Sequence, residues 1–213
     1  MLFAEGIRER VLVSVMTILK TLGAMYVTLL STVIAGIINS LWCKSKLMKA
    51  LQMPMDGGRN FADGRRIFGD NKTWKGFLGY ILLNMLCMVL WGFACAATEI
   101  EEYNLFYQNM ANTPVNNLLV GLLLGLAYGI FELPNSFLKR RLGIVPGKTL
   151  GGAARAFFVF LDQADSVFGC VLVVCLYHPM TVWFYLLYVA VGAFTHIVIN
   201  MFLYFCKLRK NMF

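Results

Sequence analysis

Charge is scarce in this chain of 213 residues: only 14% are Asp, Glu, Lys or Arg, where a globular domain carries about 25%. Hydrophobic residues make up 59% against a usual ~45–50%. A soluble core of this size cannot hide so many apolar side chains, so a water-soluble enzyme is excluded, as is a disordered chain. Histidine is almost absent, with His178 and His196 alone, and no Ser-His-Asp, Cys-His or glycosidase arrangement is assembled. Both histidines read as structural, one at a turn and one in mid-span, away from the polar clusters described below. The six cysteines lie in or beside apolar runs and form no C-x-x-C pair, so neither a zinc site nor a secreted disulfide scaffold is indicated. Internal repeats and low-complexity tracts are also lacking.

What is present is long apolar runs. A bilayer core about 30 Å thick needs roughly 20 helical residues. Residues 22–42 and 77–98 satisfy this directly, and 117–133 is a shorter run ending at Glu132 and Pro134. Residues 166–206 hold no charged side chain, and as one helix would be about twice the bilayer thickness. His178-Pro179 is the credible break, because proline ends or kinks helices. The fold class expected is therefore all-α, polytopic, with five transmembrane helices (about 22–42, 77–98, 117–133, 160–178 and 181–206). Two long loops, 43–76 and 134–159, would form the active site of a single integral-membrane domain. Residues 8–20 read as a separate short amphipathic or interfacial piece, not as a signal peptide. Gly121, Gly125 and Gly129 repeat a G-x-x-x-G spacing, a packing face within the bundle or between the subunits of a homodimer.

The basic residues set the orientation. The net charge is +8, and sixteen of the nineteen Lys and Arg fall in the two long loops and the C-terminal tail, while the 99–116 loop carries none and has three glutamates. The positive-inside rule then puts both long loops and the C-terminus in the cytoplasm and the N-terminus outside.

Three polar clusters share that face. Asp63-Gly64-Arg65-Arg66 and Gly69-Asp70-Asn71-Lys72-Thr73 alternate glycine with cations, either a solvated basic loop or an anion site in which backbone and Lys or Arg approach a phosphate. If span three continues as helix to Gly143, Glu132, Ser136, Lys139 and Arg140 share one face; the cations either hold a polyphosphate or snorkel to the interface. Asp162 and Asp165 open span four, either complementing a helix N-terminus or suiting Mg²⁺, which is held by one or two carboxylates plus substrate phosphates. Together the clusters supply polyphosphate donors and a metal pair beside lipid.

At these motifs the chain resembles the CDP-archaeol synthases, small five-span relatives of CDP-diacylglycerol synthase. The carriers are Asp63-Gly64-Arg65-Arg66-x-x-Gly69-Asp70-x-Lys72-Thr73-Trp74-x-Gly76, Glu132-Leu133-Pro134-Asn135-Ser136-Phe137-x-Lys139-Arg140, and Asp162-x-x-Asp165. They cover Pro54 to Ser166, and span layout covers the rest. The larger superfamily has arginine where Gln163 stands, and its Lys-Asp before Pro-Gly is not seen before Pro146-Gly147, which favours the archaeol branch.

The resemblance implies that CTP and 2,3-di-O-geranylgeranyl-glycerol 1-phosphate give CDP-archaeol and pyrophosphate, with Mg²⁺ as cofactor, in a plasma membrane. It implies Asp162 and Asp165 as metal ligands, with Glu132 a weaker third. Lys72, Lys139 and Arg140 are implied on the CTP phosphates, Thr73, Asn135 and Ser136 as supporting contacts, and Asp63, Arg65 and Arg66 on the nucleotide loop. The expected cavity is cytoplasmic and open to lipid between spans three and four, with its floor near Asp165.

The alternatives are a CDP-diacylglycerol synthase acting on phosphatidate, a CDP-alcohol phosphotransferase, and a transporter. The phosphotransferase pattern has two aspartates four apart where Asp162 and Asp165 are three apart, and a transporter would place ionisable groups at mid-bilayer. No feature suggests nucleic-acid binding.

Overall fold

The computed structural model describes residues 2–145 and 155–208. It is all-helical, and five helices are long and apolar enough to cross a membrane: α1 (Leu2–Lys44), α2 (Trp74–Ala97), α3 (Pro114–Arg141), α4 (Arg155–Tyr177) and α5 (Val182–Phe205). Threonine starts three of them. The hydroxyls of Thr73, Thr113 and Thr181 accept from the backbone N–H of Gly76, Asn116 and Phe184, satisfying donors that the helix leaves unpaired. Pro114 then sits in the first turn of α3, where its missing N–H costs nothing.

Two boundaries differ from the sequence expectation. α1 is one helix of 43 residues, about 64 Å at 1.5 Å per residue, so residues 8–20 extend the first span instead of forming a separate piece. Nothing there breaks a helix: no proline occurs, and Gly23, where that stretch meets the apolar run, costs only about 1 kcal/mol against alanine. Span three does not stop at Pro134 but runs to Arg141, so the expected loop 134–159 is helical over its first eight residues and again from Arg155. A proline inside a membrane helix is tolerated where neighbours satisfy the freed backbone. Pro146-Gly147-Lys148 lies outside the described residues.

The helices pack in chain order, α1 on α2, α2 on α3, α3 on α4 and α4 on α5. The glycine face of α3 explains the tightness of its contact with α2. A Cβ at Gly121 would lie 2.6 Å from the Met85 Cα, and one at Gly125 would lie 2.6 Å from the Ile81 Cα. The G-x-x-x-G stripe therefore serves packing within the chain. On the opposite side, a Cβ at Gly169 of α4 would lie 2.6 Å from the Ala127 carbonyl oxygen. α3 and α4 are in backbone contact, which corrects the expected lateral opening between them. The 98–113 segment closes the end of the bundle remote from the long loops, with Phe106 and Asn104 fully buried and the Leu105 N–H donating to Thr28 Oγ1 at 2.9 Å.

Gly125→Leu should lower the thermal unfolding midpoint of the detergent-purified protein by several degrees, because overpacking costs about 1–3 kcal/mol or more. Gly23→Ala, where a Cβ meets nothing within 4 Å, should leave it unchanged or raise it. Equal midpoints for the two variants would remove the close α2–α3 contact.

Candidate active site

The loop between α1 and α2 is organised by Asp56, whose Asp56-Gly57-Gly58-Arg59 run precedes the motif and has no site role assigned from the sequence. Its carboxylate is fully buried and accepts from the backbone N–H of Gly58, Phe68 and Gly69 at 3.0, 3.0 and 2.9 Å. Arg66 adds Nε at 3.3 Å and Nη2 at 2.7 Å. Gly69, at φ 97, takes a backbone conformation that side chains rarely adopt. Burial alone would raise the Asp56 carboxyl, but the Arg66 guanidinium and the three backbone donors hold it well below the usual carboxylate range. The Asp-Gly-Gly start of this loop is the sequence signal for such a turn.

Arg141, at the end of α3, clasps this loop. Its guanidinium lies 2.9 Å from Asp63, donates to the carbonyls of Arg65 and Arg66, and sits 5.1 and 4.6 Å from the Phe61 and Phe137 ring centres. Arg65 in turn donates to the Arg141 carbonyl, and Arg66 pairs with Asp56 and Asp70. Asp63, Arg65 and Arg66, expected against the nucleotide, are thus spent on the loop's own architecture, and none of them lines the cavity.

That cavity, about 710 Å³, is where the remaining expected residues meet: Lys72 and Thr73 from the loop, Glu132, Asn135, Ser136, Lys139 and Arg140 from α3, and Asp162 and Asp165 from α4. The continuation of α3 past Pro134 is what aligns its five on one face. Lys72 pairs with Glu132, and Lys139 with Asp162. Burial opposes the charge on Lys72, yet Glu132, with smaller help from Asp165 and Asp162, raises its pKa above the ordinary lysine value. Asn135 joins the two aspartates, its Nδ2 donating to Asp162 at 2.7 Å and to Asp165 at 2.8 Å. Its position three residues after Glu132 carried no sequence signal for that bridging role. Thr73 spends its hydroxyl as the α2 cap. Lys75, in the first turn of α2, is fully buried and donates to the Ser45 carbonyl at 2.7 Å.

Arg140 differs from the other cations. It is 8% exposed, forms no ion pair among the described residues, and its Nε and Nη1 have no hydrogen-bond partner there. A buried guanidinium left this way is costly unless an anion completes it. Among the described residues no three acid, His or Cys side chains come together as a metal cage. Glu132 pairs with Lys72 and is not grouped with Asp162 and Asp165 as a third metal ligand. His196, expected away from the polar clusters, lines the cavity, its ring 6.0 Å from that of Tyr128.

The Asp56 carboxyl gives a pH signature. Its folded-state pKa is depressed, so the stabilisation is present above the unfolded value of about 4 and is lost only as pH falls through the lower folded value. Amide exchange in residues 53–73, corrected for intrinsic rates, should be as protected at pH 5 as at pH 8. Asp56→Asn should lose about tenfold or more of that protection across the range. An unchanged variant would remove Asp56 as the organising residue.

Comparison with known proteins agrees with this site. A CDP-archaeol synthase of Methanoculleus marisnigri is 37% identical over 128 residues, 59% of this chain and 65% of that protein. One from Methanospirillum hungatei is 32% identical over 164 residues, 74% of this chain and 88% of the relative. One solved structure, of an intramembrane enzyme for archaeal membrane lipids biosynthesis, superposes with a TM-score of 0.53 at 22% identity, covering 79% of this chain and 92% of that one; it bears on the fold. The model of the CarS-like CDP-archaeol synthase family matches residues 44–213, which include the cavity residues from the first loop, α3 and α4, and the chain belongs to that family.

Proposed function

We propose that the protein is a CTP-dependent cytidylyltransferase that activates a membrane lipid phosphate, an archaeol precursor as in its named relatives, giving a CDP-lipid and pyrophosphate. The observation that carries this reading is Arg140, a buried guanidinium whose Nε and Nη1 have no partner among the described residues, on the wall of a cavity that also holds Lys72, Lys139 and the Asp162–Asp165 pair. Such a wall fits a polyphosphate beside lipid.

The reaction needs no activated side-chain nucleophile. A lipid phosphate is already anionic at neutral pH. One of its oxygens attacks the α-phosphorus of CTP, a new P–O bond forms, and the bond to the β-phosphate bridging oxygen breaks. Pyrophosphate leaves with that electron pair, and no proton is consumed. The chain's part is positioning and charge stabilisation. Arg140 receives a phosphate directly. Lys139 and Lys72 turn from Asp162 and Glu132 toward the triphosphate as it enters, exchanging one anion for another. Asn135 keeps the two aspartates on a common side.

Asp162 and Asp165 fit Mg²⁺ as a pair. Asn135 Nδ2 already holds partial positive charge between them, and two carboxylates plus substrate phosphates are an ordinary set for this ion. Bound there, Mg²⁺ would supply neutralisation of the phosphate charge. CTP cannot enter hydrocarbon, so the cavity opens to the compartment that holds CTP, the cytoplasm, in agreement with the basic loops.

Purified protein given radiolabelled CTP, Mg²⁺ and a panel of lipid phosphates should form a labelled CDP-lipid and release pyrophosphate. Chelation should stop the reaction, and Asp165→Asn should abolish it without loss of folded protein; full turnover of that variant at limiting Mg²⁺ would remove the metal assignment. Arg140→Ala should lower kcat/KM for CTP by roughly 10–150-fold, the worth of about 1.5–3 kcal/mol for a charged phosphate contact. A change below twofold would return Arg140 to a structural role. In a background without the native cysteines, Asn71→Cys should react with impermeant maleimide only in inside-out vesicles, and Gln108→Cys only from the outer face. The reverse pattern would overturn the orientation.

A further inference from the structure

The helices form an open arc. Each packs on its neighbour in the chain, but α1 and α5, the two ends, do not pack along each other. Among the described residues their hydrogen-bonded ties lie beyond the cavity, where the Tyr188 hydroxyl donates to the Met25 carbonyl at 2.6 Å and the Thr195 hydroxyl lies 3.1 Å from that of Tyr26. From there toward the site both helices contribute to the cavity wall, Val33 and Ile37 from α1, and His196, Ile199 and Asn200 from α5. These residues are half-buried, while Val198 and Phe202 on the same stretch of α5 are exposed. The other seams are packed: backbone contacts join α2 to α3 and α3 to α4, and α1 packs on α2 and α4 on α5.

Polar side chains line the inner side of this gap. Asn200 donates to the carboxamide oxygen of Gln163, and Gln163 is 3% exposed beside Asp162 on α4. A carboxamide pair inside an apolar bundle is costly unless its hydrogen bonds are used. The two groups carry four N–H donors, of which their shared bond occupies one. The oxygens that link chains to glycerol in a lipid phosphate accept hydrogen bonds and donate none.

We propose that the lipid phosphate enters through the gap between α1 and α5, with its glycerol linkage oxygens on the Gln163–Asn200 pair. Its phosphate then reaches the Asp162–Asp165 end of the cavity, and its chains leave between the two helices into the bilayer. This rests on the cytidylyltransferase reading and adds the route and the subsite. It also gives Gln163 a role. At a position where the larger superfamily carries arginine, this chain carries an uncharged donor that can sit against lipid linkages without a counter-ion.

Two measurements on the full chain in nanodiscs test it. An isoprenoid-ether lipid phosphate with a diazirine on its first isoprene unit is photolysed, and the adducts are mapped by mass spectrometry. Adducts should concentrate at residues 30–44 and 196–208 and disappear when unlabelled lipid phosphate is added in excess. Competed adducts confined to the lipid-facing sides of α2, α3 or α4, or none that compete, would overturn the route. Asn200→Leu, an apolar change that a membrane helix tolerates, should raise the KM for the lipid phosphate about three- to tenfold. The KM for CTP should stay within twofold, and Asn200→Gln should restore much of the loss. An unchanged lipid KM, or an equal rise in both constants, would overturn the subsite. Failure of the wild-type protein to form any CDP-lipid would defeat the cytidylyltransferase reading instead, and the photolabelling pattern would still report on the route.

Discussion

A charge at the edge of a bilayer must be neutralised by something that stays in place, and the site obeys that constraint almost completely. Glu132 has Lys72, Asp162 has Lys139, and Asn135 ties Asp162 to Asp165. In a medium of low dielectric an unpaired ion is expensive, so these pairs hold α3, α4 and the first loop at fixed positions around one cavity. Arg140 is the exception on the cavity wall: unlike Lys72 and Lys139 it has no ion pair among the described residues, and its Nε and Nη1 have no partner there. The pairs tie the cavity wall together, and the exception is the group that the proposed reading gives to a phosphate.

The scaffold beneath the pairs comes from two kinds of contact. Near the middle of the bundle, glycine allows α3 to approach α2 and α4 to backbone distance, giving dispersion contacts where no hydrophobic drive exists between helix and lipid. At the loop end, polar groups do the same work. Asp56 gathers the turn of the first loop, and Arg141 binds that turn to α3 through Asp63, two carbonyls and two aromatic rings. The loop that carries Lys72 is therefore anchored at both ends of its polar segment, which sets Lys72 against Glu132.

Family membership and geometry bear on different links of the argument. The family match spans the site from Lys72 to Asp165 and sets the chemistry expected there. The geometry distributes the work among the residues. Of the motif's charged positions, Lys72, Glu132, Lys139, Arg140, Asp162 and Asp165 face the cavity, while Asp63, Arg65 and Arg66 hold the loop that frames it. Conspicuous charge in a motif thus divides into groups that face the cavity and groups that hold the loop framing it.

The sequence by itself determined the number of spans, the side on which charge gathers, and the three clusters that meet in the site. Apolar length and charge bias are properties of consecutive residues, and the bilayer reads them one span at a time. Helix continuation was only half legible: the pattern through Pro134 put Glu132, Ser136, Lys139 and Arg140 on one stripe if the helix held, but whether it held depended on neighbours that satisfy the backbone. Only the tertiary structure decided that Asn135 would join Asp162 to Asp165, 27 and 30 residues away, that Asp56 rather than the arginines would organise the first loop, and that His196 and Asn200 would line the cavity. It also decided that the arc of helices stays open between α1 and α5 and not between α3 and α4. Those outcomes rest on which helix faces meet in space, and a glycine stripe or a lone carboxamide states what a face permits without naming the face it will meet.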